Sequence, residues 1–148
     1  MKKILSLLIF GLLLTSCNKA EKQAQQDEEV ITQYISDHNL NATATGSGLY
    51  FVITEPGTGA SCNSSSTVTV DYKGYFTNST IFDESNSTGI TFNLGGVIPG
   101  WTEGIPYFKE GGSGTLLVPS ALGYGSQATG GIPANSVLIF DVALLDVL

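Results

Sequence analysis

Apolar and polar positions alternate with a period of two in several short segments of the chain, which is the pattern of half-buried β-strands. The alternation is clear in residues 49–54 and 67–72, and residues 115–118 form a short apolar segment that ends before Pro119. Residues 137–148 are apolar at almost every position, as expected for a central strand covered on most of both faces. Strands dominate and do not alternate with helices, so the pattern predicts an α+β fold built on an antiparallel sheet.

A short helix is predicted to begin at Pro99, since proline suits the first position of a helix. Pro106 leaves room for only about two turns before it ends that helix. Trp101 and Ile105 then share one helical face, because four residues separate them. So short a helix is marginal on its own. We therefore expect it to pack against the sheet with the Trp101 indole buried.

An amphipathic helix is predicted over residues 27–38, because four apolar side chains fall on one helical face. Acidic residues at positions 27–29 would lie in its first turn, where they favour the helix dipole. Residues 18–26 are Asn, Lys, Ala, Glu and Gln, and they predict a tether. We expect the helix to pack on its own domain without being required by that domain; a dimerisation arm is the alternative. The four apolar residues are Val30, Ile31, Tyr34 and Ile35.

The N-terminus has the features of an export signal. Lys2 and Lys3 precede an apolar segment over residues 4–14 that is too short to span a bilayer. The Leu-Thr-Ser-Cys sequence that follows resembles a bacterial lipobox, in which the signal is cleaved before the cysteine and the cysteine is lipidated. We expect residues 1–16 to be a lipoprotein signal peptide and Cys17 to anchor the mature chain in the bacterial cell envelope, at the periplasmic face or the outer membrane. An ordinary secretory signal with an incidental cysteine is the alternative.

The remaining composition excludes several kinds of site. Without residues 1–16 the chain keeps four Lys, no Arg and 13 acidic residues, a formal charge of about −9, which argues against nucleic acid as a partner. His38 is the only histidine, so the chain has no Cys and His pattern for a metal, and no cofactor is expected. Cys62 lies in a polar stretch and would be left without a partner, so we expect it to be exposed, free and without a role.

Six short blocks stand out along the second half of the chain. They are VDYKG at residues 70–74, IFDES at 81–85, FNLG at 92–95, VIPGWTEG at 97–104, ALGYG at 121–125 and IPANSVLIFDV at 132–142. In content and order they resemble the FK506-binding-protein-type (FKBP-type) prolyl isomerases. The resemblance implies an FKBP-like domain over residues 48–148, with a curved antiparallel sheet wrapped around a short α-helix. Residues 17–47 would form a lipid-anchored tether and amphipathic helix in front of it.

The resemblance also implies a pocket for a proline ring, floored by Trp101. Tyr124 would point its hydroxyl at the substrate carbonyl, and the Ile98 N–H would bind a second carbonyl. Asp83 would lie near the twisted amide and orient Tyr72. The implied catalytic residues are Asp83, Tyr124 and Tyr72, and the implied substrate-binding residues are Phe82, Ile90, Phe92, Val97, Ile98, Trp101, Ile132 and Phe140.

Three of these positions need comment. Family members often carry Phe where Ile90 stands, and some pair the equivalent of Asp83 with an Arg, which this chain lacks. Strand alternation leaves open that Phe92 points into the core instead of the pocket. These departures bear on substrate preference and on FK506-like macrolides, which the resemblance implies as ligands.

The function that the resemblance implies is peptidyl-prolyl cis-trans isomerisation of X-Pro bonds in unfolded or exported proteins. Such catalysis needs no nucleophile, metal or cofactor, because a dry pocket that fits the twisted amide lowers the barrier. The alternative is a proline-binding chaperone module that uses the same pocket with little or no turnover.

Overall fold

The fold is a seven-stranded antiparallel sheet that is preceded by a long helix and packed against a short one. The computed structural model describes the backbone of residues 2–148 and the side chains of residues 17–148. The helices are α1 (Lys2–Asp37) and α2 (Pro99–Gly104). The strands are β1 (Thr43–Ala44), β2 (Tyr50–Glu55), β3 (Thr67–Tyr75), β4 (Ile81–Glu84), β5 (Ile90–Asn93), β6 (Ser113–Val118) and β7 (Leu138–Val147). Short 3₁₀ helices lie at Leu94–Gly96, Ile105–Tyr107 and Ser120–Leu122.

The strand order is β1-β2-β6-β7-β3-β4, with β5 also paired to β3. β3 takes two partners along one edge: β5 pairs with residues 67–70, and β4 pairs with residues 73–75. β7 lies between β6 and β3, so its nearly continuous apolar sequence does belong to a central strand. The predicted α+β fold, a curved antiparallel sheet with a short helix against it and one N-terminal helix, is confirmed.

The main core lies between the sheet and α2, and two glycines decide how closely they approach. A Cβ atom at Gly100 would lie 2.5 Å from Cγ1 of Val118, and one at Gly104 would lie 2.8 Å from Cδ2 of Leu116. Glycine at both positions, four residues apart on one helical face, lets α2 pack directly on β6. Trp101 and Ile105 are buried as predicted. Other fully buried core side chains are Leu49, Val68, Val70, Leu94 and Leu138.

Helix α1 differs from the sequence prediction in its extent. It runs unbroken through residues 18–26, which were expected to form a tether. The reason is that Lys, Glu, Gln and Ala are all strong helix formers, and side-chain pairs four residues apart add support. The Gln23 amide donates to Asp27 at 2.8 Å, and the Gln25 amide donates to Glu29 at 3.4 Å. The acidic residues at 27–29 are therefore well inside the helix and not in its first turn.

The second half of α1 packs on the sheet, as expected for a helix that belongs to its own domain. Ile31 is fully buried in a small cluster with Leu117 and Val137, although Val30 is 42 % exposed and does not join it. The Tyr50 hydroxyl donates to Glu28 at 2.5 Å. These contacts argue against the expectation that the domain can dispense with the helix. The division of the chain at residue 48 stays a prediction.

The two cysteines lie in different surroundings. Cys17 is exposed on α1. Cys62 was expected to be exposed, but it is half-buried and packs against the main core, and this burial raises the pKa of its thiol. The side chains of residues 1–16, on which the signal-peptide prediction depends, lie outside the described part. Across the described residues, no helix combines the length and apolar character needed to cross a bilayer.

Candidate active site

An aromatic cavity of about 480 Å³ opens between the sheet, α2 and the loop that follows β6. β3 and β4 supply one wall, β7 supplies the back, and the turn before α2 supplies an apolar edge. The cavity is lined by Tyr72, Phe82, Asp83, Gly96, Val97, Ile98, Trp101, Tyr124 and Phe140. Eight of these residues are among those that the resemblance implied, and Gly96 is an addition.

Trp101 lies at the floor of this cavity and is 6 % exposed. Its ring meets Tyr72 edge to face at 4.9 Å and 81°, and meets Phe140 at 5.2 Å and 79°. Edge-to-face pairs at such distances are favourable arrangements of aromatic rings. The Thr102 hydroxyl donates to the Leu94 carbonyl at 2.6 Å, which ties α2 to the preceding 3₁₀ turn. The indole is thus held from the helix side and from the sheet side.

The aromatic wall depends on a glycine in β3. Phe82 and Phe140 meet edge to face at 5.6 Å and 90°. A Cβ atom at Gly74 would lie 2.7 Å from the Phe82 ring and 2.8 Å from the Phe140 ring. Only glycine lets both rings close over β3 at this point, so Gly74 is a residue of the site that aromatic patterns alone do not reveal.

Tyr72 and Asp83 form a hydrogen-bonded pair at the cavity wall. The Tyr72 hydroxyl donates to Oδ2 of Asp83 at 2.7 Å. Burial raises the pKa of Tyr72 well above its usual value, and the hydrogen bond and charge of Asp83 raise it further. The hydroxyl therefore keeps its proton throughout the physiological pH range. Asp83 itself is exposed, and it lines the cavity.

A second hydrogen-bonded group fixes the end of β4 beside Tyr72. The Ser85 hydroxyl accepts from the Tyr72 N–H at 2.9 Å and donates to Asp71. The Ser85 N–H donates to the Tyr72 carbonyl at 3.0 Å. Ser85 and Asp71 thus hold the segment that carries Asp83 against the strand that carries Tyr72. Neither residue could be predicted from the sequence, because their interaction depends on how β3 and β4 pair.

Two hydrogen-bond donors stand at the cavity mouth. Tyr124 is 42 % exposed on the loop after β6, and its hydroxyl has no protein partner among the described residues. Ile98 immediately precedes α2, and its carbonyl accepts from the Trp101 N–H at 2.9 Å. Within residues 17–148, the Ile98 N–H donates to no backbone carbonyl. Both groups are free to donate to a bound carbonyl.

Three of the implied substrate-binding residues do not line the cavity. Ile90 and Phe92 belong to β5, which pairs with the far half of β3, opposite Val70 and Val68. Ile90 is 45 % exposed there, and Phe92 packs on Trp101 at 5.3 Å as part of the core, the alternative that strand alternation left open. Ile132 is 7 % exposed and is also part of the core.

Another hollow, of about 460 Å³, lies over strands β3, β6 and β7 away from Trp101. It is lined by hydroxyl and charged side chains such as Thr115, Ser85, Lys73 and Asp141, and Tyr72 is its only aromatic residue. Such a surface suits water better than a proline ring. The aromatic cavity is therefore the candidate active site.

Comparison with known proteins agrees with this geometry. Residues 59–145 match the family of FKBP-type peptidyl-prolyl cis-trans isomerases. The chain is 41 % identical over 135 residues to the FKBP-type peptidyl-prolyl cis-trans isomerase FkpA of Escherichia coli K12, and 40 % identical over 131 residues to FkpA of Aeromonas hydrophila. These matches cover 87 % and 86 % of this chain and 49 % of each relative. The chain thus spans about half the length of the curated relatives it matches.

Solved structures give the same result. The crystal structure of E. coli FkpA superposes with a TM-score of 0.74 at 37 % identity, covering 96 % of this chain and 70 % of that one. A peptidyl-prolyl cis-trans isomerase from Pseudomonas syringae superposes with a TM-score of 0.76 at 26 % identity, covering 86 % of this chain and 94 % of that one. The sequence blocks, the fold and the aromatic cavity thus lead to one conclusion: this chain belongs to the FKBP-type peptidyl-prolyl cis-trans isomerase family.

Proposed function

We propose that this protein is a peptidyl-prolyl cis-trans isomerase that acts on X-Pro bonds of unfolded or exported proteins. The observation that carries the proposal is the Trp101-floored cavity, which offers an aromatic site with the exposed Tyr124 hydroxyl at its mouth. Rotation about an X-Pro bond crosses a barrier of about 18–20 kcal/mol. Without a catalyst it takes tens to hundreds of seconds. A catalyst of this step is useful wherever chains fold.

The cavity can lower that barrier without covalent chemistry. As the C–N bond twists, the amide loses resonance, and its carbonyl depends less on hydration. A site that excludes water and fits the twisted form therefore binds the transition state better than the planar ground state. A rate gain of about 10⁴ requires only about 5–6 kcal/mol of such preference. The edge-to-face rings around Trp101 provide the apolar surface that this mechanism needs.

The polar groups take distinct roles in this proposal. Tyr124 donates its hydroxyl to a carbonyl of the bound peptide, and the Ile98 N–H holds a second carbonyl of the peptide. Tyr72, fixed by its 2.7 Å bond to Asp83, keeps the wall in place and keeps that carboxylate oriented. No residue needs to give up a proton, so we expect little dependence of turnover on pH across the neutral range.

A proline-peptide isomerisation assay tests the proposal. We expect the wild-type chain to accelerate cis-to-trans conversion in proportion to its concentration, and Tyr124→Phe to lower kcat/KM by about two- to tenfold, the effect of losing one hydrogen bond. The proline-binding chaperone is the competing function. It would be favoured if the wild-type chain suppressed aggregation of an unfolded client without accelerating isomerisation.

We also propose FK506-like macrolides as inhibitors that bind in the cavity. The support is the aromatic cavity, which presents a large apolar surface around Trp101. Trp101 is the only tryptophan in the chain, so its fluorescence reports directly on the cavity. We expect FK506 to change this fluorescence saturably and to inhibit isomerisation over the same concentration range. Inhibition without a fluorescence change would indicate binding elsewhere.

The cellular location proposed here is the bacterial cell envelope, with the mature chain anchored through lipid on Cys17. The support is the lipobox-like sequence before Cys17, the exposure of that residue on α1, and the bacterial origin of the relatives named above. More than one acyl chain gives stable membrane anchoring. Replacing Cys17 by Ser should abolish lipid labelling and release the protein from membranes. A Cys17→Ser variant that stays membrane-bound and normally processed would contradict the lipid anchor.

A further inference from the structure

Asp27 of α1 is the only charged side chain that is buried among residues 17–148, with 2 % of its surface exposed. Its Oδ2 accepts from the Ser120 N–H at 2.8 Å and from the Ser120 hydroxyl at 2.5 Å. Its Oδ1 accepts from the Gln23 amide at 2.8 Å. A buried carboxylate is unfavourable unless hydrogen bonds replace the water it loses. Here three donors replace it, and two of them belong to Ser120.

Ser120 anchors the loop of residues 120–125, which carries Tyr124. Its carbonyl accepts from the Gly123 N–H at 3.0 Å and from the Gly125 N–H at 2.8 Å. These two amides flank Tyr124 directly in the sequence. The Gly125 carbonyl in turn accepts from the Asn135 N–H at 2.8 Å, which closes the far side of the loop. A shift of Ser120 would therefore move the backbone on both sides of Tyr124.

The position of the Tyr124 ring depends on this backbone more than on packing. Tyr124 is 42 % exposed, whereas the other cavity aromatics are buried or half-buried against one another. Few neighbours thus hold the ring if the loop moves. The hydroxyl can face the bound carbonyl only while residues 120–125 keep their present course.

Packing of α1 on the sheet does not by itself require an acidic residue at position 27. Ile31, Leu117 and Val137 already form an apolar contact between the helix and the sheet. A buried charge generally stabilises no better than an apolar residue of similar size. The carboxylate does supply an acceptor for the N–H that begins the 3₁₀ turn at Ser120, a group that has no partner inside that turn. An apolar side chain would leave this N–H unpaired.

We propose that Asp27 is a positioning residue of the isomerase site, which acts through Ser120 to hold the backbone of residues 120–125 and so directs Tyr124 at the substrate. Helix α1 then contributes to turnover as well as to packing. The inference rests on the proposed function for the role of Tyr124. The placement of the loop by Asp27 is independent of that role.

The first test compares full-chain variants, solubilised in mild detergent, in the proline-peptide assay at a temperature where all are folded. Asp27→Ala should lower kcat/KM by about two- to tenfold. Asp27→Asn, which keeps an acceptor oxygen for Ser120, should recover most of that loss. Tyr50→Phe is the matched control, because it removes another hydrogen bond between α1 and the sheet, 2.5 Å long, without touching Ser120. It should leave kcat/KM unchanged.

A double-mutant cycle then separates positioning from general loosening of the fold. If Asp27 acts through the Tyr124 hydroxyl, Asp27→Ala should have little further effect in a Tyr124→Phe background. An equal fold-loss in both backgrounds, or an equal loss for Tyr50→Phe, would overturn the proposal. If Asp27→Ala fails to fold, Ser120→Ala takes its place in the cycle with the same expectations, since it removes only the hydroxyl bond.

Hydrogen exchange of the same full-chain variants distinguishes failure of this inference from failure of the proposed function. Asp27→Ala should speed amide exchange at Gly123 and Gly125 while leaving the central strand β7 unchanged, and Tyr50→Phe should not. An inactive wild-type chain would refute the isomerase function. Unchanged exchange at both glycines would overturn the positioning role of Asp27, whatever the activity.

Discussion

The close packing of α2 on β6 leads to a prediction in which two physical effects oppose each other. Gly100 lies in the helix, where alanine is intrinsically favoured over glycine by about 1 kcal/mol. A Cβ atom at that position would, however, lie 2.5 Å from Cγ1 of Val118 and 3.2 Å from the Leu122 carbonyl oxygen. We expect the steric effect to prevail in Gly100→Ala.

The magnitude follows from the contact distances. Non-bonded carbon atoms are comfortable at about 3.5–4.0 Å, so α2 or β6 must shift by about 1 Å. Val118 cannot easily turn away, because its β-branched side chain is stiff and its strand is paired on both sides. Overpacking costs about 1–3 kcal/mol, and a 2.5 Å contact with a side chain that cannot turn away puts this site in the upper part of that range, at about 2–3 kcal/mol. After the gain in helix propensity, a net loss of about 1–2 kcal/mol remains, which lowers Tm by roughly 4–8 °C at about 4 °C per kcal/mol.

Thermal melts and isomerisation assays on the same samples check this prediction. Trp101 follows Gly100 in the helix, so a shift of α2 also moves the cavity floor. Because small displacements of site residues lower catalytic rates strongly, we expect kcat/KM to fall by about tenfold. Gly96→Ala is the control for stability, because no atom lies within 4 Å of a Cβ at that position. Its free energy of unfolding should change by less than about 0.5 kcal/mol. A Gly100→Ala variant as stable as wild type would show that α2 does not pack this closely on β6.

Further variants test other contacts. Asp83→Ala should lower kcat/KM several-fold, as Tyr124→Phe does. Its Tm should change little, because both side chains are exposed, and a Tm loss equal to that of a core variant would contradict this. Trp101→Ala should lower both activity and stability, the latter by about 3–5 kcal/mol in urea unfolding; a stability change below about 1 kcal/mol would mean the indole is not a core residue. Cys62→Ser should destabilise by about 1 kcal/mol, since the thiol packs on the core, and equal urea midpoints would contradict that packing. A chain that begins at Ala44 should melt well below the full chain, because it exposes the surface that Ile31 covers; equal melting temperatures would show that α1 is dispensable.

Much of the fold could be predicted because its signals are local. The alternation in residues 67–72 and the apolar run at 137–148 mark β3 and β7 directly, and Pro99 marks the start of α2. Residues 18–26 were misjudged because a helix without apolar residues carries no periodic pattern. The role of Asp27 was missed because its partner, Ser120, is 93 residues away along the chain.

In the site, too, residues in local sequence blocks could be predicted, whereas contacts between distant strands could not. Trp101, Tyr72 and Phe140 could be identified because they stand in blocks that resemble a known family. Ile90 was expected at the cavity because the family resemblance implied it there, but β5 pairs with the far half of β3 and places Ile90 away from the cavity. The need for glycine at position 74 could not be seen, because it depends on two rings that meet only in the folded sheet.

The most direct test of the central claim is the rate of cis-to-trans conversion of a proline peptide measured against concentration of the full chain. We expect a rate that rises linearly with protein concentration above the uncatalysed background, with Tyr124→Phe giving a slope reduced by about two- to tenfold at unchanged Tm. A slope of zero for the folded wild-type protein, or equal slopes for wild type and Tyr124→Phe, would contradict the mechanism proposed for this cavity.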